Sequence, residues 1–180
     1  LITFVSLTVL SMAQSNPAIT EWIQNHSGIT GRHYVQGNST PITDNVLANV
    51  QSVDYSNNWV YVTATGIPSY ITGPFTDNNP SLAENQNAIY KLPLNPTQNA
   101  GNATATFGGN IGVFINGVSL FDYRDGVAWN NNTNALCGGP GNPPCPGGPQ
   151  ATQNWNRDAI PAEMGGFDCA KAHPAMGNYH

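Results

Sequence analysis

The sequence predicts a mainly β protein: a single sandwich-like domain with long ordered loops and little helix. Three observations lead there. Nineteen glycines and 14 prolines are spread over 180 residues, which interrupts any long helical period. Residues 59–65, WVYVTAT, form a β-branched and aromatic run between Asn57-Asn58 and Gly66-Ile67-Pro68. Residues 111–121, IGVFINGVSLF, set Asn116-Gly117 between two apolar runs, the composition of a hairpin turn.

Along the chain, residues 1–13 (LITFVSLTVLSMA) are apolar and close on Ser11-Met12-Ala13, the small-residue pattern that a signal peptidase reads. The run is shorter than the ~20 residues of a membrane-spanning helix. With no Met at position 1 and no basic residue ahead of it, it reads as a partial signal peptide, leaving residues 14–180 as one β-rich domain. Residues 43–50, TDNVLANV, suit one helical turn or the lead into a strand. Residues 59–65 are a strand, and Ala88–Leu92 is a second, stopped by Pro93. Asn116 and Gly117 both tolerate positive φ, so a type I′ turn is expected there. Residues 130–153 are a long Asn/Gly/Pro loop, and residues 155–163 carry a short helix limited by Pro161. No internal repeat or second domain is visible.

Composition narrows the partners. Charged residues are only 8% of the chain, against about 25% in ordinary soluble domains. Five Lys and Arg in a chain of net charge −5 cannot neutralise a run of phosphates, so nucleic acid is excluded as a partner. The mature chain holds no stable membrane span. A surface of amides and hydroxyls suits a secreted, periplasmic or cell-surface protein that contacts an extracellular polymer or itself. Asn25, Asn38, Asn102 and Asn131 begin formal glycosylation triplets.

Export sets the reading of the three cysteines. Cys137 and Cys145, in CGGPGNPPC, are placed to clasp a Gly/Pro loop by a disulfide, a closure that contributes on the order of 2–3 kcal/mol. Cys169 is left over, to pair with one of these, with a cysteine outside this sequence, or to remain a thiol.

The reactive side chains collect in the closing fourteen residues, FDCAKAHPAMGNYH. Pro174, Gly177 and Asn178 predict a turn, which brings His173 and His180 together. Two imidazoles and the carboxylate of Asp168 suit a divalent transition metal, Zn or Cu, and fill three positions of its sphere with one left open. The alternative has His173 capping a turn and His180 as a frayed terminus. His26 and His33 read as ordinary surface or loop residues. Asp122, Asp125, Asp158, Glu163 and Asp168 are half of the chain's 10 acids, and Arg124 and Arg157 lie beside them. They form Asp–Arg braces, or they orient metal-bound histidines. Glu163 and Asp158 are the candidate catalytic bases beside a metal-bound water. Cys169, four residues before His173, supports a third reading as a thiol hydrolase. A serine elbow of the Gly-x-Ser-x-Gly type is absent. Trp129 and Trp155 flank the same loop and by default pack a core.

These segments resemble the YHYH-domain family of exported, mostly bacterial proteins. The resemblance runs through VYVTATGIPSYITGPF (60–75), GNIGVFINGVSLFDYRDGVAW (109–129), WNRDAIPAEMGGFDCAKAHP (155–174) and GNYH (177–180). Tyr179 and His180 match the first half of the Tyr-His-Tyr-His signature; the second half falls past residue 180. The resemblance implies an extracellular β-rich domain without an established reaction. It also implies a histidine-rich face, because alternate residues of a strand share a side and His173 would face the two signature histidines. Ala172 stands where the family commonly has glycine.

Overall fold

The computed structural model describes residues 16–77, 81–104, 106, 108–124, 128–130, 132–137, 155–156 and 159–180. The chain is mainly β. Its strands are β1 (Thr30–His33), β2 (Ile42–Leu47), β3 (Val50–Tyr55), β4 (Trp59–Ala64), β5 (Ile71–Thr72), β6 (Ala88–Pro93), β7 (Asn110–Val113), β8 (Ser119–Phe121), β9 (Ala128–Asn130), β10 (Ala135–Leu136), β11 (Trp155–Asn156), β12 (Pro174–Ala175) and β13 (Asn178–Tyr179). Two short helices, α1 (Pro17–Thr20) and α2 (Ala159–Glu163), complete it, with a 3-10 turn over Met164–Gly166. Among the described residues no helix is long and apolar enough to cross a membrane.

The strands are shared among small sheets. β3, β4 and β6 form an antiparallel sheet with β4 in the middle. β1 pairs antiparallel with β2 and parallel with β5, and β9 lies between β10 and β11. β7–β8 and β12–β13 are hairpins.

The expected strand at 59–65 is β4, and its alternation explains its place. Val60, Val62 and Ala64 are buried on one face while Trp59 is exposed on the other. Each fully buried valine contributes roughly 1.5–3 kcal/mol relative to an exposed one. Val50 joins them from β3, Tyr90 and Leu92 from β6, and Ala18, Ile19 and Trp22 from α1 and the residues after it. Asn16 caps α1 by accepting from the Ala18 amide at 2.9 Å, and Pro17 opens the helix where no N–H is needed. On the exposed face the Lys91 ammonium lies 4.3 Å over the Trp59 ring.

Several local expectations are refined. Residues 43–50 take the strand option: Asn49, at φ 66, turns the chain between β2 and β3 and rules out a helical turn. The hairpin at Asn116-Gly117 is present, but its turn is not type I′. Only Gly117 has positive φ (83), and its amide donates to the Phe114 carbonyl at 2.8 Å. This is the three-residue hairpin in which a type I turn is followed by a left-handed glycine. The Asn116 side chain accepts from the Val118 amide at 3.2 Å. The helix expected at 155–163 is α2, with Pro161 in its first turn, where proline is tolerated. Part of the expected loop at 130–153 is extended, since β10 pairs with β9. His33 is neither a surface nor a loop residue: it is buried in β1, its Nδ1 2.7 Å from Asp44 Oδ1. The presumed leader, residues 1–13, lies outside the described residues.

Asp122, just after β8, is 2% exposed. Burial pushes its carboxyl up, but hydrogen bonds from the Thr106 hydroxyl and the Arg124 amide, with the Arg124 charge, outweigh burial and hold it below the ordinary carboxylate range. The Arg124 guanidinium stands 3.2 Å away. This is one of the expected Asp–Arg braces; Asp125, Arg157 and Asp158 lie outside the described residues.

Two predictions follow from these contacts. A Cβ at Gly117 would stand 2.5 Å from the Ala64 Cβ. With the positive φ, Gly117→Ala should therefore cost about 1–3 kcal/mol, read as a lower urea midpoint. Because folding depresses the Asp122 carboxyl, its contribution is present above the unfolded-state pKa of 3.8 and is lost as pH falls through the lower folded value. Asp122→Asn should be less stable at pH 7 and should lose less further stability between pH 5 and pH 2 than the parent. Equal losses in urea melts at both pH values would contradict this.

Candidate functional site

The tail is a two-strand hairpin, β12 and β13. Met176 (φ 48) and Gly177 (φ 83) form its two-residue turn, so the type I′ conformation occurs here. Three neighbours hold the turn. The Gly177 amide donates to Ser81 Oγ at 2.9 Å, and its carbonyl accepts from the Glu84 amide at 2.8 Å and from Gln86 Nε2 at 3.0 Å. A Cβ at Gly177 would press on the Glu84 side chain at 2.9 Å, so glycine serves both the conformation and the approach.

Beyond the strands, His173 and His180 exchange both backbone hydrogen bonds, each N–H donating to the other's carbonyl at 3.0 Å. Residues opposed in this way project to the same side of a hairpin. The two rings stand 4.8 Å apart, edge to face. His180 also stacks on Phe121 at 3.8 Å, and His173 meets the edge of Phe167 at 5.1 Å. The expected convergence of the two imidazoles is thus observed.

Tyr179, between them in sequence terms and next to His180, points the other way into a second core with Val118, Ala172 and Phe75. It is fully buried, and its hydroxyl donates to Asp168 Oδ2 at 2.6 Å. Burial first, then hydrogen bonding to Asp168 and Tyr70, raises the Tyr179 hydroxyl pKa far above its ordinary value, so it stays protonated. Asp168 Oδ2 also accepts from the Gly73 amide at 3.1 Å, and Oδ1 accepts from the amides of Ala170 at 2.8 Å and Ala172 at 3.4 Å. Both Asp168 oxygens are therefore committed to bracing the loop and the tail.

The carboxylate beside the histidines is instead Glu163, at the end of α2. Its Oε2 stands 3.4 Å from His173 Nε2. A carboxylate accepts, so Nε2 carries the proton and Nδ1 the lone pair. That Nδ1 is buried and meets no hydrogen-bond partner among the described residues. Burial of the ring, then the neighbouring His180, lowers the His173 pKa against the opposing pull of Asp77 and Asp168, which keeps the imidazole neutral. His180 Nδ1 lies 2.9 Å from the Asn178 carbonyl. Since a carbonyl only accepts, the proton sits on Nδ1 and Nε2 is the acceptor.

His180 opens onto a cavity of about 540 Å3, lined also by Glu163 and otherwise mostly by apolar side chains. The sequence offered no sign of this cavity, because its walls come from β8, α2 and several loops spread from Ile23 to His180. Among the described residues, no group of three or more His, Cys, Asp or Glu is arranged to hold a metal ion. Among the described residues Cys169 is exposed and outside any disulfide, while His173 is buried. Cys137 is buried, and Cys145, its expected partner, lies outside the described residues, as does Asp158. Trp129 and Trp155 are paired in neighbouring strands β9 and β11.

No curated protein and no solved structure matches this chain. The family model described as YHYH protein matches residues 89–180, half of the chain, and spans the β7–β8 hairpin, α2 and the histidine-bearing tail. The chain belongs to the YHYH protein family.

Proposed function

We propose that the tail hairpin is an extracellular site for a divalent transition metal, Zn or Cu, with His173 and His180 as its protein ligands. The observation that carries the reading is the buried, unpartnered Nδ1 of a neutral His173 beside a second imidazole fixed by reciprocal backbone bonds. A buried lone pair without a donor is costly in an apo protein and is what a metal requires. In this reading His173 ligates through Nδ1 and His180 through Nε2. Glu163 accepts from His173 Nε2–H and orients the ring, the carboxylate–histidine–metal arrangement common around bound zinc. Asp168, a ligand on the simplest reading of the sequence, acts one step back by holding Tyr179 and so the strand that presents His180. The cavity supplies the face from which a further ligand or substrate reaches the ion. Secretion and a Cys137–Cys145 clasp belong to the same proposal, as the setting in which such a site works.

A second reading, a structural or self-associating extracellular module, is favoured by the aromatic packing of both histidines on Phe121 and Phe167. It predicts concentration-dependent self-association in the presence of a chelator.

The test is calorimetric titration of the chain with Zn and Cu. The expected result is uptake at one site per chain, abolished in the His173→Ala, His180→Ala double variant. Glu163→Gln should weaken it by about tenfold through loss of ring orientation. Uptake by the double variant equal to that of the parent would sink the proposal. Tyr179→Phe removes a buried donor from Asp168 and should cost about 1–3 kcal/mol in thermal or urea unfolding. It should also weaken metal uptake without touching either ligand.

A further inference from the structure

The cavity beside the histidine pair has a composition that exceeds what ion binding needs. Its walls carry Phe114, Phe121, Phe167, Leu120 and Ile160. Phe114, Leu120 and Ile160 are 51%, 43% and 53% exposed, a concentration of bare apolar surface around one concavity. Ile23 and Ile115 also line it, at 45% and 54%, together with the buried Val118 and Ala172. The volume of about 540 Å3 falls within the ~300–1,000 Å3 of small-molecule sites, which likewise combine apolar walls with few polar groups.

The polar groups decide what fits. Asp122 lines the cavity, but its charge is answered by Arg124. Lys171 lies at the rim, exposed to water. The Glu163 carboxylate also lines the cavity, as does His180, whose Nδ1 is committed to the Asn178 carbonyl, so that its Nε2 is the acceptor nitrogen. Of the other polar lining groups, Ser119 is bonded to Tyr90 and Asn110, the Asn116 side chain to the Val118 amide and the Tyr70 hydroxyl to Tyr179, while Tyr123 is 59% exposed; Glu163 and His180 add acceptors to a lining that is otherwise mostly apolar. A complementary molecule has a flat apolar body and a single hydrogen-bond donor at one end.

We propose that this cavity binds phenols: uncharged aromatic molecules whose ring lies against Phe114, Phe121, Leu120 and Ile160 and whose hydroxyl donates to Glu163 or His180. Stacking of rings on aromatic walls and burial of the apolar body supply affinity, and the hydroxyl supplies orientation. The proposal does not depend on a bound ion, because the acceptors are already in place in the metal-free chain. It extends the metal reading, since His180 belongs to both.

The experiment is titration of the full chain, treated with chelator, with 2-naphthol and with 2-methoxynaphthalene, followed by the probes' fluorescence. The expected result is saturable binding of 2-naphthol at one site. Methoxynaphthalene, which cannot donate, should bind at least threefold more weakly. Ala170→Trp fills the cavity from an exposed position, and Leu120→Asp makes its wall polar. Each should weaken 2-naphthol at least tenfold, with circular dichroism confirming the fold. Glu163→Gln should reduce the preference for 2-naphthol over methoxynaphthalene. Absence of saturable binding overturns the proposal, as does affinity unchanged in both folded wall variants. Equal affinity for the two probes overturns the hydroxyl's role and with it the assignment to phenols. Zinc uptake is measured separately, so failure of the metal site and failure of the cavity are distinguishable.

Discussion

A single buried bond, from the Tyr179 hydroxyl to Asp168 at 2.6 Å, holds the site together. A hydrogen bond to a buried carboxylate contributes more than a neutral one, about 1.5–3 kcal/mol, and here it acts at a junction. The same carboxylate gathers the Gly73 amide from the 66–75 segment and the Ala170 and Ala172 amides from its own loop. Four donors satisfy one charge, so burial does not isolate it. The 66–75 segment and the C-terminal tail, about 95 residues apart, thereby meet at one side chain. Because neighbouring residues of a strand face opposite sides, anchoring Tyr179 inward commits His180 outward, against Phe121 and the cavity.

The hairpin turn finishes what Tyr179 starts. Gly177 must take a left-handed conformation and must also lie flat against Glu84, two demands that only glycine meets together. Met176 takes the other left-handed position and is 98% exposed, so its side chain brings no compensating contact to the turn. The cost of ordering the turn is met by the hydrogen bonds at Ser81, Glu84 and Gln86. The result is a short tail held on both faces, with the two imidazoles opposed across it.

The division of labour between the acids follows from geometry. Asp168 lies closer to the histidines in sequence, but its oxygens point into the protein and are occupied by backbone amides and a phenol. Glu163 is ten residues before His173, yet α2 and the turn after it return its carboxylate to the imidazole. One acid thus organises the backbone while the other organises a ring.

What the sequence determined by itself is local. The β class, the strand at 59–65, the strand ending at Pro93, the hairpin at Asn116-Gly117, the short helix before Met164 and the convergence of His173 with His180 all follow from alternation, turn chemistry and breakers. Each of these acts over fewer than about ten residues. The conformation of the Asn116-Gly117 turn lay beyond that range, because the close approach of Gly117 to Ala64 belongs to another sheet. So did the burial of His33, which depends on Asp44 across β2. The choice of Glu163 over Asp168 beside His173, the bracing role of Asp168 and the apolar cavity were decided only by tertiary structure. They arise where segments separated by tens of residues pack together, and no periodicity within one segment records which partner it will meet.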